Sequence, residues 1–561
     1  MRLFGGEQVD NLMQRFRLDD DYPLENRMVS NLIESSQHRV EGANFDVRKH
    51  LLEYDDVLNK QRAIIYSQRD RVMEKEDLAE DVAELLRAEV AARVPPAMED
   101  EEGPWKLLAW LEQIQPAFAY GENKVFPSYT LRLLLGDLSG AEGEPKEALL
   151  GLVRRTVEAE ETHIQNAIQA AIEKTAESLE SQAEERFDAI DAFLQGQRES
   201  EEERRPQELF EELQSAVRLP LRLSADQLKL LAGDPNQLEE SLKDQVDAQL
   251  TSLSISRLVT TIEFRLNEPL PGKDELSKLG WDEAAVRLLE LSQKMLDNRR
   301  ERLAGANGQV ARDLDGLLSR TDVSRLDESG LLKLLSALAR GRRMVFDAKT
   351  HRQVQQDYQR FTYFYLAAQM LGDRKPEDVE MDVLEHLQEA AETLRTGYGQ
   401  AEFNQISQNA SRISDFGKVA DVLEKVSDET SPASLTEEQR KKLTQELGHL
   451  RQTEIYRNVL LGAISELWVD YLTRVEALRI SIGLEAYAQR DPLVQYKSKA
   501  SEMFQELLND IRAGVIARIF LYLPRPVSFT ETVVEPTVET SQAQSDEVQM
   551  SKVGRKRHKR H

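Results

Sequence analysis

The chain of 561 residues contains no cysteine. That absence excludes disulfide bonds, thiolate zinc sites and cysteine nucleophiles, and it fits a reducing compartment such as the cytoplasm. No window holds about 18 consecutive uncharged apolar residues, as a membrane-spanning helix needs, and the amino terminus has no apolar run of signal-peptide length. Aromatic residues make up only 6% of the chain and charged residues 31%. This composition predicts long solvated helices rather than a β-sandwich or a barrel.

Sequence motifs for nucleotide, metal and nucleic-acid binding are also missing. No Gly-x-x-x-x-Gly-Lys-Ser/Thr occurs, and Gly305-Ala-Asn-Gly308 lacks both the lysine and the preceding strand of a phosphate-binding loop. The histidines are scattered, and His38 and His50 do not have the i, i+4 spacing of a helical metal site. A formal charge of −27 argues against wrapping nucleic acid, because phosphates would be repelled. We therefore expect no catalytic residue, no cofactor-binding residue and no metal site.

A long helix is predicted near the start of the chain. Residues 43–94 contain neither Gly nor Pro, so a continuous helix there would run about 78 Å at 1.5 Å per residue, with Pro95 and Pro96 ending it. This helix carries charges of both signs among apolar side chains, a surface that suits docking of another protein body. The candidate docking residues are Arg48, Glu53, Asp55 and Asp56. The three carboxylates have no histidine partner, so inter-domain salt bridges are favoured over acid/base chemistry.

Two amphipathic helices are predicted near the end of the chain. Apolar residues recur at three- and four-residue spacing from Leu460 to Ile482 and from Tyr496 to Ile519. A connection of about ten residues makes the pair an antiparallel helical hairpin. Tyr487 lies in that connection, where two interpretations stay open. It is either a surface tyrosine in a loop or an aromatic probe that contacts an extended polypeptide.

Three other stretches lead to local predictions. Ser256–Leu266 is β-branched and roughly alternating, so it is the best strand candidate. The aromatic cluster from Tyr358 to Tyr365 predicts a core seam rather than a ligand site. The composition beyond Pro524 predicts disorder. The chain then ends in a basic run, comprising Lys552, Arg555, Lys556, Arg557, Lys559 and Arg560.

The basic run has two interpretations. One is a solvated end, or a nonspecific nucleic-acid contact. The other is attraction to the anionic leaflet of a membrane, worth about 1 kcal/mol for each Lys or Arg near the surface and strongly dependent on salt.

Four segments of the chain resemble the SecA family of bacterial preprotein translocase motors, in the family's order. Met1-Arg-Leu-Phe-Gly-Gly6 resembles the end of its second nucleotide-binding domain, and residues 28–69 resemble the entry to its helical scaffold. Leu467-Trp-Val-Asp-Tyr-Leu472 resembles the first helix of its two-helix finger, and Tyr487-Ala-Gln-Arg-Asp-Pro492 resembles the fingertip. The clear match covers about 140 residues in long, collinear strings, so the resemblance is specific.

The resemblance implies a mainly α fold: an elongated long-helix scaffold, a helical hairpin, a mostly helical inserted wing region and a disordered tail. The implied segments are the end of a nucleotide-binding domain (1–24), a scaffold helix (25–95), a wing position with a large helical insertion (96–450), the finger with scaffold (451–523) and the tail (524–561). By position, Tyr487, Gln489 and Arg490 match the fingertip that contacts the preprotein and the SecYEG channel.

The implied function is mechanical coupling of an ATPase motor to movement of unfolded preproteins through SecYEG. The implied location is the cytoplasmic face of the bacterial cell membrane, as a peripheral protein. The nucleotide-binding and preprotein cross-linking domains are missing, so we expect no ATP hydrolysis by this chain alone. ATP and magnesium would belong to a motor in missing upstream sequence or in another polypeptide.

The chain departs from the family in one further respect, and two other interpretations stay open. The cysteine-rich zinc tail of many family members is absent here. The alternative to a translocase is a coiled-coil scaffold unrelated to export. A third interpretation is a helical protein that binds nucleic acid through its basic tail, which the acidic body disfavours.

Overall fold

The computed structural model describes residues 27–121, 124–139, 144–199, 204–319, 327–347, 351–409, 412–423, 426–427, 429–482 and 491–524. Within these ranges the protein is mainly α-helical, which confirms the predicted fold class. None of the helices in these ranges is long and apolar enough to cross a membrane.

The helices are numbered here in chain order. They are α1 (Arg27–Glu74), α2 (Ala79–Met98), α3 (Trp105–Ile114), α4 (Tyr129–Ser139), α5 (Pro145–Glu199), α6 (Pro206–Val217), α7 (Ala225–Gly233), α8 (Glu239–Leu266), α9 (Lys273–Leu276), α10 (Trp281–Ala304), α11 (Gln309–Leu318), α12 (Glu328–Ala339), α13 (Phe364–Leu371), α14 (Pro376–Asn409), α15 (Glu437–Ser481) and α16 (Pro492–Ile519). Short 3₁₀ segments lie at Pro235–Leu238, Ile413–Val422 and Pro432–Ser434.

Two small antiparallel hairpins interrupt the helices. Strand β1 (Phe118–Tyr120) pairs with β2 (Lys124–Phe126), and Phe118 stacks on Phe126 across the pair. Strand β3 (Arg340–Asp347) pairs with β4 (Arg352–Gln359) along their full length. Sequence analysis missed both hairpins. The first is only three residues a strand, and the second is rich in Arg and Gln, without the apolar alternation that signals a half-buried strand.

The largest core joins α1 and α2 to α3, α13, α14, α15 and α16. Helix α1 contributes Ile65 and Val72, which are buried, and α2 contributes Val82, Leu86 and Val90 at helical spacing. Elements far apart in sequence therefore share one hydrophobic scaffold.

The predicted continuous helix over 43–94 is wrong, because α1 ends at Glu74 and α2 begins at Ala79. The break contains no Gly or Pro, and Leu78 within it is fully buried. Arg457 of α15 stabilises the end of α1, since its Nε donates to the Val72 carbonyl at 3.2 Å and its guanidinium also donates to the Lys75 carbonyl at 2.8 Å. Carbonyls that a helix end leaves unpaired are thus satisfied by a distant side chain.

The prolines of α2 do not end the helix where the sequence predicts. Pro95 and Pro96 both lie inside α2, which continues to Met98. They lie within its last turn, and the Pro95 carbonyl accepts the Glu99 N–H at 3.2 Å. A proline therefore marks the final turn here rather than the boundary itself.

The predicted strand at Ser256–Leu266 is also wrong, because these residues form the end of α8. Ile255, Leu258 and Ile262 repeat at helical spacing and are buried in a core shared with α5 and α10. The Thr260 and Thr261 hydroxyls each donate to the carbonyl four residues earlier, at 3.0 Å. Packing against α5 therefore overrides the weak β preference of β-branched residues.

Helix α5 organises the region between α4 and α12. It has 55 residues, so it is about 83 Å long at 1.5 Å per residue. Its first third packs with α4, α11 and α12, its middle with α8 and α10, and its last third with α6 and α8. We refer to α5, α6, α7, α8 and α10 as the arm, and to the first third of α5 as its root.

The predicted aromatic seam is partly confirmed. Phe361 and Tyr363 are buried against the root, and the Tyr363 hydroxyl donates to the Leu335 carbonyl at 3.0 Å. Tyr365 stacks on His163 of α5, with ring centroids 4.1 Å apart. Tyr358 instead belongs to β4 and is only half-buried.

A buried histidine attaches the segment from α3 to α4 to the scaffold. His386 of α14 is fully buried, with Nε2 2.7 Å from Gln115 Oε1 and Nδ1 3.4 Å from the Arg132 guanidinium. Because an arginine only donates, Nδ1 must accept and Nε2 must carry the proton. Burial, aided by Arg132, lowers the pKa of His386 to about 3. The ring is therefore a neutral structural link.

Candidate functional site

The candidate site is built on an antiparallel helical pair, α15 and α16. Thr436 and Gln439 form a capping box that begins α15. Asp491 caps α16, and Pro492 occupies its first turn. The two amphipathic helices predicted from the sequence are confirmed, although α15 begins well before its predicted apolar stripe.

The two helices of the pair pack closely along their length. Gly514 of α16 faces Leu467 and Ala463 of α15, and a Cβ built on it would reach only ordinary contact distance. Arg518 donates to Glu466 at 2.9 Å farther along the pair. Later on α15, Tyr471 contacts Phe504, which lies earlier on α16 than Gly514, so the two helices run in opposite directions.

A buried polar network joins this pair to α1. The Tyr471 hydroxyl donates to Gln61 Oε1 at 2.7 Å, and Gln61 Nε2 donates to the Ala500 carbonyl at 3.1 Å. Burial raises the pKa of Tyr471 to about 12, so its hydroxyl stays a donor at neutral pH. One residue from each of the three helices is therefore fixed by the same network, which we call the Gln61 brace.

Aromatic rings surround the Gln61 brace. Tyr54 of α1 meets Tyr496 of α16 edge to face, with centroids 4.7 Å apart. Tyr471 stacks on Trp468 and meets the edge of Phe504 at 5.9 Å. Edge-to-face and offset pairs add about 0.5–1.5 kcal/mol each beyond area burial. The helical pair is therefore held against α1 by both directional and apolar contacts.

A buried carboxylate joins the same pair to α2. The Glu89 side chain is only 4% exposed and accepts hydrogen bonds from Arg512 Nε at 2.9 Å and from Arg93 Nε at 2.5 Å. Charge-assisted bonds to a desolvated carboxylate are costly to break, because the remaining charge is left buried and unpaired. This contact gives α16 a second fixed point.

A family model for the SecA wing and scaffold domain matches residues 23–266 and 340–522, which is more than half of the chain. This chain belongs to the SecA wing and scaffold family. The matched ranges include the helical pair, the Gln61 brace and most of the arm. Residues 267–339, which hold α9, α10, α11 and α12, lie outside the match.

Curated relatives are similar over part of the chain. The protein translocase subunit SecA of Thermodesulfovibrio yellowstonii is 42% identical over 176 residues, covering 31% of this chain and 18% of that protein. The protein translocase subunit SecA of Pelotomaculum thermopropionicum is 35% identical over 203 residues, covering 35% of this chain and 22% of that protein. The protein translocase subunit SecA of Symbiobacterium thermophilum is 51% identical over 88 residues, covering 16% of this chain and 10% of that protein.

The chain spans less than a quarter of the length of these relatives. No solved structure matches it significantly.

The predicted docking residues all lie on α1, and three of the four, Glu53, Asp55 and Asp56, already interact with other groups of this chain. Asp55 lies 3.6 Å from Arg479 of α15, and Asp56 pairs with Lys60 at 2.8 Å on the same helix. Arg48 is exposed and Glu53 is half-buried. Asp55 therefore helps to hold α15 on α1, and docking of a motor by this group stays a prediction.

The other predicted site residues belong to two segments, the predicted fingertip and the basic run. The fingertip residues Tyr487, Gln489 and Arg490 lie outside the described residues, and so does the basic run from Lys552 to Arg560. Among the residues that the structure does describe, no group of three metal-binding side chains is close enough to hold an ion.

Sequence analysis missed the residues that join the helices of the site. Gln61 could have been found, because it is a polar residue in the apolar register of α1, between Leu58 and Ile65. Such a residue signals a buried hydrogen bond, since an unpaired buried amide is costly. Glu89 and Arg457 carry no comparable local signal, because the partners that join them to other helices lie hundreds of residues away.

Proposed function

We propose that this chain is the scaffold, wing and finger portion of a SecA-type protein translocase. In this role the helical pair acts on an unfolded preprotein at the SecYEG channel, and α1 and α2 connect the pair to an ATP-driven motor. The observation that carries the proposal is the Gln61 brace, within residues that match the SecA wing and scaffold domain.

The brace suits mechanical coupling because it leaves the pair little freedom relative to α1. Tyr471, Gln61 and Ala500 link three helices, and Glu89 links α16 to α2 independently. Close-packed helices transmit displacement rather than absorb it, since protein interiors have low compressibility. A movement imposed on α1 would therefore move α15 and α16 with it.

The motor itself would be supplied from outside the sequence described. ATP and magnesium would bind to motor domains in the same longer polypeptide or in a partner polypeptide, docked partly through the candidate residues Arg48, Glu53, Asp55 and Asp56. The basic run from Lys552 to Arg560 would hold the protein at the anionic cytoplasmic surface of the membrane, with an attraction that weakens as salt rises.

Site-specific cross-linking tests the proposal directly, because the chain has no native cysteine. Tyr487→Cys in the full chain would be combined with its motor, SecYEG vesicles and a stalled preprotein that carries one cysteine. We expect an ATP-dependent disulfide between the two. Ser181→Cys, at an exposed position on the arm, is the matched control and should form none.

A cross-link that is equally strong from both positions would mean random collision and would contradict the fingertip assignment. Failure of the wild-type chain to support translocation with any motor fraction would contradict the whole proposal. The coiled-coil scaffold unrelated to export would then be the better account.

A further inference from the structure

The β3–β4 hairpin is exposed along most of its length. Its eight residue pairs run from Arg340 opposite Gln359 to Asp347 opposite Arg352. Its base is fixed by the Arg360 N–H, which donates to the Ala339 carbonyl at 2.8 Å, and by Arg360 pairing with Asp313 at 2.5 Å. A two-stranded hairpin is marginally stable alone, and a further strand would stabilise it.

Apolar side chains are exposed on both faces of this hairpin. Met344 and Phe346 lie on one face and are 61% and 62% exposed. Val345 and Val354 face each other across the other side and are 36% and 46% exposed. An extended polypeptide alternates its side chains between two faces. A strand added beside β3 would therefore find apolar neighbours for both of its side-chain rows.

The outer edge of β3 also offers a row of backbone hydrogen-bonding groups. In an antiparallel pair, every second residue hydrogen-bonds to the residue opposite it. Because the Arg360 N–H donates to the Ala339 carbonyl, the residues of β3 that hydrogen-bond to β4 are Gly341, Arg343 and Val345. The N–H and C=O groups of Arg342, Met344 and Phe346 then point away from β4. No third strand pairs with them among the described residues.

The hairpin differs in charge from the rest of the protein. Its two strands carry four arginines and two aspartates, whereas the whole chain has a net charge of −27. Three of the arginines lie on β3, where Arg342 lies 3.5 Å from Asp357 and Arg340 interacts electrostatically with Glu112. A positive strand edge on an acidic protein attracts acidic segments selectively.

We propose that the outer edge of β3 binds an extended, acidic polypeptide segment as a third β-strand. Main-chain hydrogen bonds supply affinity that tolerates many sequences, the exposed apolar side chains add contact area, and the arginines favour acidic residues. That the bound segment belongs to a transported polypeptide rests on the proposed function. The strand addition itself rests on the hairpin alone.

Two other occupants fit the hairpin less well. A membrane surface would meet the arginines and Phe346, but lipid cannot hydrogen-bond the open backbone edge, and burying such groups unpaired costs several kcal/mol each. A second copy would bring another basic hairpin and another strongly acidic body together, so like charges would oppose edge-to-edge pairing.

The test measures binding of a short labelled peptide of alternating valine and threonine that carries glutamates, by fluorescence anisotropy with the full chain. Met344→Pro removes one outward N–H from the edge of β3, and proline is tolerated on edge strands. We expect binding to weaken at least about fivefold, from the lost hydrogen bond and the displaced strand. Gln355→Pro removes the equivalent outward N–H from β4, directly opposite Met344, and should leave binding unchanged.

Met344→Ala removes the side chain but keeps the backbone N–H, so it should weaken peptide binding less than Met344→Pro does. Hydrogen exchange at 340–347 should slow when the peptide is present. Equal binding by both proline variants, binding to anionic vesicles without binding to the peptide, or peptide-independent dimerisation in sedimentation would each overturn the proposal. None of these results bears on translocation, so the proposed function is tested separately.

Discussion

Two tyrosines that lie beside each other in the scaffold core differ in what their hydroxyl groups bind. Tyr471 donates to Gln61 within the brace. The Tyr496 hydroxyl is buried without a hydrogen-bond partner among the described residues. Replacing each tyrosine by phenylalanine removes one oxygen, and it should therefore lower the stability of the protein at Tyr471 but not at Tyr496.

We expect Tyr471→Phe to lower the free energy of unfolding by about 1–3 kcal/mol, because the Gln61 amide oxygen is left buried without its donor. Tyr496→Phe should leave stability unchanged or raise it slightly, since it removes an unpaired polar group from the core. Urea unfolding followed by tryptophan fluorescence measures both. Equal losses from the two variants would contradict the role of the brace.

The root of the arm contains a carboxyl group that should make stability depend on pH. Glu160 and Glu161 of α5 pair with Arg299 and Arg300 of α10. Burial raises the pKa of Glu161 to about 7 despite both arginines. The folded protein therefore holds a proton that the unfolded chain releases near its ordinary value, so stability falls as pH rises between those two values.

We expect Glu161→Gln to flatten the dependence of the thermal midpoint on pH between about 4.5 and 7. Glu177→Gln, at an exposed position farther along the same helix and not among the charges that act on Glu161, should leave that dependence as it is in the wild type. Differential scanning calorimetry across this pH range makes the comparison. Parallel curves for wild type and Glu161→Gln would show that Glu161 does not titrate there.

Among the elements, α14 and α15 cross where each presents a glycine. A Cβ on Gly399 would overlap the Thr444 carbonyl oxygen, and a Cβ on Gly448 would overlap the Arg395 carbonyl oxygen. The helix backbones therefore approach more closely here than any side chain permits. Gly462 of α15, in contrast, has open space around it.

Gly399→Ala should destabilise the protein by about 1–3 kcal/mol, because the two helices must separate. Gly462→Ala should stabilise it by up to about 1 kcal/mol, since alanine favours a helix over glycine and meets no neighbour. Chemical denaturation of both variants tests this pair. A stabilising Gly399→Ala would mean that the two helices do not cross as closely as described.

Sequence analysis predicted those elements whose folding is dictated locally. The apolar stripes of α15 and α16 repeat every three to four residues, so their period alone identified them. The end of α1 depends on Arg457, and the helical state of residues 256–266 depends on packing against α5. Both are decided by contacts distant in sequence, and local patterns gave a continuous helix and a strand instead. The position of Gln61 in an apolar register signals a buried hydrogen bond, but local sequence does not identify its partners, because Tyr471 and Ala500 come from distant helices.

At the scale of the whole molecule, a substitution at the predicted fingertip should affect protein transport without affecting folding. Tyr487→Ala should reduce preprotein translocation severalfold, because an aromatic contact with the moving chain is lost. The unfolding transition should not change. Protease protection of the preprotein in SecYEG vesicles measures the first quantity, and calorimetry measures the second. If this variant transported the preprotein as well as the wild type does, Tyr487 would not be the fingertip residue that contacts it.

The length of α5 has a mechanical consequence for the whole molecule. Its root is fixed in one core and its far end lies in another, so the helix works as a lever with a short and a long side. A rotation of about 5° at the root carries the far end about 5 Å, because about 54 Å of helix extend beyond the root. A shift too small to disturb the packing of the scaffold would therefore become a displacement of molecular size at the tip of the arm.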